Sequence, residues 1–338
     1  MLIGLFIGLL FGFFLQRGQF CFVSGFRIIY TQRNFRFLTA LLIAVSIQSI
    51  GFFSLSGLDL ITIPNTPMPL LATLIGGLLF GIGMVLANCC ASGGWFRTGE
   101  GAVGSWIALI CFALTMAATQ TGALKQWINP LLLETTTLDN IYNTFNLSPW
   151  ILVTVLVLIT VVMIVYHIKN PRYQFPQEPT TALIPHRIFT KHWHPFTAAV
   201  WIGLLGVLAW LVSEQYGRSY GYGVAVPTAN VVQYIVIGQQ RYLNWGSYFV
   251  LGILLGSFIA AKLSGEFEIR LPEPKAILQR MLGGVIMGIG ASLAGGCTIT
   301  NALVSTAYFS WQGWLATLMI MIGCWLTSVL VKPTQCRI

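Results

Sequence analysis

Nine apolar runs, each close to the length of a membrane-crossing helix, divide this chain at about residues 3–24, 37–55, 70–89, 102–120, 149–168, 196–213, 245–262, 279–297 and 311–331. A helix rises 1.5 Å per residue, so roughly 20 apolar residues cross about 30 Å of hydrocarbon. Backbone amides have no water to bond there, so each run must satisfy its own as a helix. The pattern predicts an all-α polytopic membrane protein with about nine transmembrane helices. Composition agrees: of 338 residues 56% are hydrophobic and only 8% charged, too little charge to cover a soluble globule. The first run lacks a basic start and a small-residue cleavage site, so it reads as a crossing and not a signal peptide.

A net charge of +9 would suit a nucleic-acid partner, but the 18 Lys and Arg residues fall mainly in short loops, where lipid orientation explains them. No nucleic acid is expected. Arg27, Arg33 and Arg36 mark one loop, Lys169, Arg172, Arg187 and Lys191 a second, and Lys262, Arg270, Lys275 and Arg280 a third, with Lys332 and Arg337 in the tail. Loops 56–69, 121–148 and 214–244 hold few basic residues. The positive-inside rule then predicts an external N-terminus and a cytoplasmic C-terminus.

The third and eighth runs share more than length. At one fixed offset, residues 76–90 and 283–297 are identical at eight of fifteen positions: Gly76/Gly283, Gly77/Gly284, Gly81/Gly288, Ile82/Ile289, Gly83/Gly290, Leu86/Leu293, Ala87/Ala294 and Cys90/Cys297. On the predicted topology the third run passes inward and the eighth outward. Two inverted repeats follow, 1–120 and 196–338, separated by 121–195 with an unpaired crossing and a basic cytoplasmic linker. Such repeats bracket a midplane substrate site in transporters. The spacing of Gly4, Gly8 and Gly12, and of Gly252 and Gly256, predicts close helix packing. Trp193, Trp201 and Trp245 are read as interfacial anchors.

After each copy the chain turns small or polar, "NCCASGG" at 88–94 and "GGCTITN" at 295–301. Irregular backbone at membrane depth survives only inside protein or beside a wet cavity. A half-helix restarting there presents unpaired N–H groups, which favour an anion. A third break is predicted at "QRGQFCF", residues 16–22; its second-half counterpart, "EQYGRSYGYG" at 214–223, has no cysteine. Cys21, Cys90 and Cys297 therefore sit at breaks. Cys89 aligns with Gly296 and is read as an accessory thiol beside Cys90, while Cys111 and Cys324 read as small core hydrophobes. With Cys336, the seven cysteines form no extracellular framework, and reduced thiols are expected.

Neither motif offers a His or Lys to generate a thiolate. A neutral thiol remains a weak S–H donor, suited to a soft sulfur atom. Helix-end dipoles and neutral thiols together fit a small sulfur anion passing through. Arg97 and Glu100 in "GGWFRTGEG" are charges near membrane depth, and Asn88, Thr298 and Asn301 are the other polar candidates beside the thiols. No cofactor or metal is expected; His192 and His194 in "HWH" read as solvated.

The stretches "LQRGQFCFVSGFR", "GGLLFGIGMVLANCCASGGWFRTGEG" and "GGVIMGIGASLAGGCTITNAL", with "KHWHPFTAAVWIGLLGVLAW" and "LGILLGSFIAAK", resemble the YeeE/YedE family of bacterial inner-membrane transporters along essentially the whole chain. The likeness is greatest to the thiosulfate-uptake branch. It implies an hourglass of inverted repeats whose short helices point at a narrow waist. It places the family's three cysteines on Cys21, Cys90 and Cys297 and implies thiosulfate passing between them through S–H contacts. It also implies a small cytoplasmic sulfur-carrier partner similar to TusA. One departure stands out: the family's "LAGGC" precedes Cys297, but "LANCC" precedes Cys90, so Asn88 and Cys89 replace two glycines. The residues themselves leave two alternatives open. One is passage of another sulfur or selenium species. The other is a membrane thiol enzyme, a sulfurtransferase or disulfide relay, motivated by vicinal Cys89 and Cys90 although no acid, base or quinone-type signature accompanies them.

Overall fold

The computed structural model describes residues 2–170 and 193–331. Arg172, His186, Arg187, Lys191, His192, Lys332, Cys336 and Arg337 lie outside the described residues. Among those described, nine helical stretches are long and apolar enough to span a membrane, at the nine predicted places. No strand forms among them; the β pairings are isolated bridges, Ala102 with Arg270 and Asn140 with Ser310.

The breaks fall where glycine and cysteine predict them. The first stretch divides into Leu2–Arg17 and Phe22–Gln32, and the third into Leu70–Ala87 and Ala91–Gly99. The eighth runs over Pro274–Leu293, earlier than expected at both ends. Proline at its first turn starts it, where the missing N–H has no intrahelical partner to lose. A π-helix, Ile299–Ser305, follows before Trp311–Leu330. The cysteine-free break separates Pro195–Glu214 from the short helix Ala225–Ile237. Lys125–Leu133 and Ile141–Thr144 are short helices in a segment the hydropathy pattern leaves blank.

Helices of the two halves pack against each other. Leu2–Arg17 lies on Trp245–Ser264, Arg36–Gly57 on Pro195–Glu214, and Leu70–Ala87 on Pro274–Leu293. Leu70–Ala87 also meets Trp311–Leu330, while Pro274–Leu293 meets Val103–Gln120. Exchanging each first-half helix for its second-half counterpart turns every one of these pairings into another or into itself. Pro149–Lys169 stands apart, packed on Arg36–Gly57 with Leu158, Ile159 and Val162 exposed on its outer side.

The matched glycines make the central contact. A Cβ at Gly83 would stand 2.5 Å from the Met287 amide nitrogen and 2.8 Å from the Gly283 carbonyl; one at Gly283 would stand 2.3 Å from the Ala87 nitrogen and 2.8 Å from the Gly83 carbonyl. Gly76 and Gly290 repeat the relation, each 2.8 Å from the other's carbonyl oxygen by the same measure. Lipid supplies no hydrophobic drive between helices, so backbone-distance van der Waals packing holds them together. Trp201 is exposed as an anchor should be, and Trp193 packs on Phe13 and Phe14. Trp245 corrects the expectation: it is buried, its ring 5.5 Å from that of Phe249 and nearly parallel to it. Apolarity at a run's edge could not separate an anchor from a core ring.

Candidate functional site

Three thiols stand immediately before three helix starts. Cys90 caps Ala91–Gly99, its Sγ accepting the Gly93 amide at 3.3 Å and lying 3.3 Å from Ser92 Oγ. Cys21 precedes Phe22–Gln32, and its Sγ accepts from Arg97 Nη2 at 3.4 Å. Cys297 precedes the π-helix; its carbonyl accepts the Asn301 amide at 2.9 Å and its Sγ lies 3.7 Å from Thr300 Oγ1. Accepting a hydrogen bond at sulfur does not use up the S–H hydrogen, which a thiol can still donate, as Cys90 can to Ser92 Oγ. Val224 takes the corresponding place before Ala225–Ile237.

The three cysteines belong to one buried cluster and are free thiols. Cys90 lies within electrostatic range of Cys21, and Thr298 Oγ1 is buried with no hydrogen-bond partner among the described residues. All three are buried: Cys21, Cys90 and Cys297 are 4%, 1% and 0% exposed. Cys89 does not share their cluster and packs against Ala87 and Ala108.

Asn88 explains how "LANCC" replaces two glycines. It takes the left-handed conformation, φ 56°, as Gly295 does at 71°. Asparagine is among the few residues with a side chain that adopt it readily. Gly296 has φ 155°, but Cys89 is not among the positive-φ residues, so no glycine is needed there.

Side chains satisfy the backbone that the breaks leave open. Arg97 Nη1 donates to the Asn88 carbonyl at 2.7 Å, so one guanidinium ties the first break to Cys21. Asn301 Nδ2 donates to the Ala294 and Gly296 carbonyls at 3.2 and 3.1 Å, and Gln312 Nε2 to Ala294 at 3.2 Å. This is the internal satisfaction that irregular backbone in a membrane requires. Glu100 accepts from Gln19 Nε2 at 2.9 Å. Arg17 pairs with Glu266 and donates to Ser264 Oγ at 2.9 Å. That ion pair joins residues on opposite halves of the chain, a distance no local motif reports.

A cavity of about 340 Å³ opens beside the second break, lined by Gly295, Gly296, Thr300 and Asn301 and, from other loops, by Thr66 and Arg218. Of the metal candidates, His194 instead accepts the Phe196 amide through Nδ1 at 3.2 Å, starting Pro195–Glu214. No cluster of three or more potential ligands occurs among the described residues.

Residues 17–326 match the family described as Sulphur transport. The chain belongs to that family. It is similar to the thiosulfate transporter TsuA of Escherichia coli, 47% identical over 336 residues, covering 98% of this chain and 95% of the relative. It is 33% identical over 337 residues to the TsuA of Spirochaeta thermophila, covering 95% and 96%. A probable transporter, YedE of Salmonella typhimurium, is 31% identical over 158 residues, covering 47% of this chain and 38% of the relative. As a member of this family the chain is a multi-pass membrane transporter and not an enzyme.

Proposed function

We propose that the protein takes up thiosulfate across the bacterial inner membrane, handing the dianion along Cys297, Cys90 and Cys21. The single observation that carries the route is a run of side chains from cavity to interior. Thr300 lines the cavity and lies 3.7 Å from Cys297 Sγ; Cys297, Cys90 and Cys21 share one buried cluster; Cys90 lies within electrostatic range of Cys21; Arg97 bonds Cys21 at 3.4 Å. Helix starts at each thiol favour negative charge, while S–H groups meet the terminal sulfur. Passage needs no covalent step: thiosulfate enters and leaves intact. The substrate reading draws support from the two TsuA relatives.

The two halves act as inverted repeats about the Gly83–Gly283 contact, which gives a two-sided waist. The cavity's loops carry few basic residues and face outward; the Arg-rich loops face the cytoplasm, where a small TusA-like carrier removes the sulfur. The thiol-enzyme alternative draws no support from the relatives, which are named as transporters. Uptake of labelled thiosulfate by proteoliposomes, with each of the three cysteines changed to Ala in turn, tests the route. Wild-type uptake by any of the three variants would refute the complete relay.

A further inference from the structure

A second recess, of about 300 Å³, lies between the turn that joins Phe22–Gln32 to Arg36–Gly57 and the last turn of Pro149–Lys169. Arg33, Asn34, Arg36, Tyr166, His167 and Asn170 line it, and no carboxylate occurs among its described lining residues. Arg36 is 8% exposed, and its Nη2 donates to the Asn170 carbonyl at 3.1 Å, pinning the end of one helix to the start of the other. The Arg33 side chain is exposed and forms no hydrogen bond or ion pair among the described residues. His167 Nε2 is buried with no hydrogen-bond partner among them. Two guanidiniums therefore meet in a recess whose own lining supplies no counter-charge.

What borders the recess identifies the anion. Pro149–Lys169 packs on Arg36–Gly57 and leaves Val155, Leu158, Ile159, Val162, Val165 and Ile168 exposed, a helical spacing that puts an apolar stripe on its outer side. From 155 to 168 the stripe covers about 20 Å, enough to line one leaflet of a hydrocarbon core about 30 Å thick. It ends at the recess. Tyr166 and Phe35, both exposed, set aromatic rings at the rim, as at a membrane interface. An occupant thus meets cations at one end and an apolar helix face at the other. A free phosphate ion has nothing to lay on that face; a phospholipid has. We propose that the recess binds an anionic phospholipid, its phosphate held by Arg33 and Arg36 and an acyl chain laid along residues 155–168. Basic pockets between crossings hold lipid head groups by the same chemistry. The lipid fastens the crossing that stands apart from the paired helices to the turn at 33–36. Selection is by net negative charge, so phosphatidylcholine, which carries its own cation, binds more weakly.

The test offers phosphatidylglycerol and phosphatidylcholine in equal amounts to the purified full-length protein and counts the lipid retained by native mass spectrometry. Wild type should keep phosphatidylglycerol about tenfold or more over phosphatidylcholine. Arg33→Gln should cut that preference about fivefold, the scale of one basic residue at an anionic membrane surface. Arg33→Lys keeps the charge and should stay within about twofold of wild type. Arg33 is exposed, so neither change disturbs the packed interior. Equal retention of the two lipids by wild type, or undiminished preference in Arg33→Gln, overturns the proposal. Glycerol phosphate, a head group without tails, should fail to displace the bound lipid at concentrations where free phosphatidylglycerol succeeds. Displacement by both alike makes the ligand a soluble anion and overturns the lipid assignment. Thiosulfate uptake is read in none of these arms, so the lipid site stands or falls apart from the transport reading.

Discussion

Asn88 and Gly295 occupy matching positions in the two breaks, each in the left-handed conformation, φ 56° and 71°, two residues before the thiol that starts the next helix. The asparagine is a tolerated substitute, because the conformation costs an ordinary side chain about 1–2 kcal/mol. Asn88→Gly should therefore stay within about 0.5 kcal/mol of wild type, and Asn88→Val should lose roughly 1–2 kcal/mol. Thermal unfolding in detergent measures both, and equal melting of the valine variant would show that the backbone there is not so constrained.

Gly83→Ala should be far worse than Gly57→Ala. The first adds a Cβ 2.5 Å from the Met287 backbone nitrogen, which cannot move aside alone; the second meets nothing within 4 Å. Overpacking of this kind costs about 1–3 kcal/mol. The fraction of monodisperse protein extracted from membranes reads the difference, and matching yields would contradict the interlocked-helix account.

Arg97 serves two acceptors through one fork, the Asn88 carbonyl at 2.7 Å and Cys21 Sγ at 3.4 Å. Lysine cannot reproduce that geometry. Uptake should drop about tenfold or more in Arg97→Gln, on the scale of a lost charged hydrogen bond, and several-fold in Arg97→Lys. Wild-type uptake in the glutamine variant would separate Arg97 from the route.

Thiosulfate affinity at the 340 Å³ cavity should be flat between about pH 6 and 8.5. The titratable groups lining the cavity are Arg218, Tyr220 and Tyr308. Burial pulls the Arg218 guanidinium down to about 10, so its charge is present at neutral pH and lost only as pH rises through that value. Burial pushes both tyrosines up, keeping them neutral over the same window. Anion titrations across the range check this, and a steep loss of affinity below pH 8 would require another titrating group.

Much of this was legible before any coordinates. Hydropathy placed all nine crossings because nothing but a helix satisfies its amides in hydrocarbon. Glycine and cysteine marked the breaks, although the left-handed residue is a glycine only at Gly295 and is Gln19 or Asn88 at the other two, and only Cys90 caps its helix through sulfur. Other features follow from partners far away in the chain. The π-helix Ile299–Ser305 has no local signature. Arg17 meets Glu266 from the opposite half. Trp245 looks like an interfacial residue until Phe249 and Arg218 are seen packed against its ring. Arg218 itself, in the cysteine-free break, carries no motif; only a structure shows that its Nη1 is buried with no hydrogen-bond partner among the described residues.

The most direct test of the account is labelled-thiosulfate uptake into proteoliposomes by wild type, Cys90→Ala and Cys89→Ala, with intact mass measured after substrate exposure. The account predicts that Cys90→Ala loses nearly all uptake, that Cys89→Ala stays within about twofold of wild type because it replaces one small packed side chain by another, and that Cys90 carries no added sulfur. Undiminished uptake by Cys90→Ala, or a stable persulfide on Cys90, would contradict it.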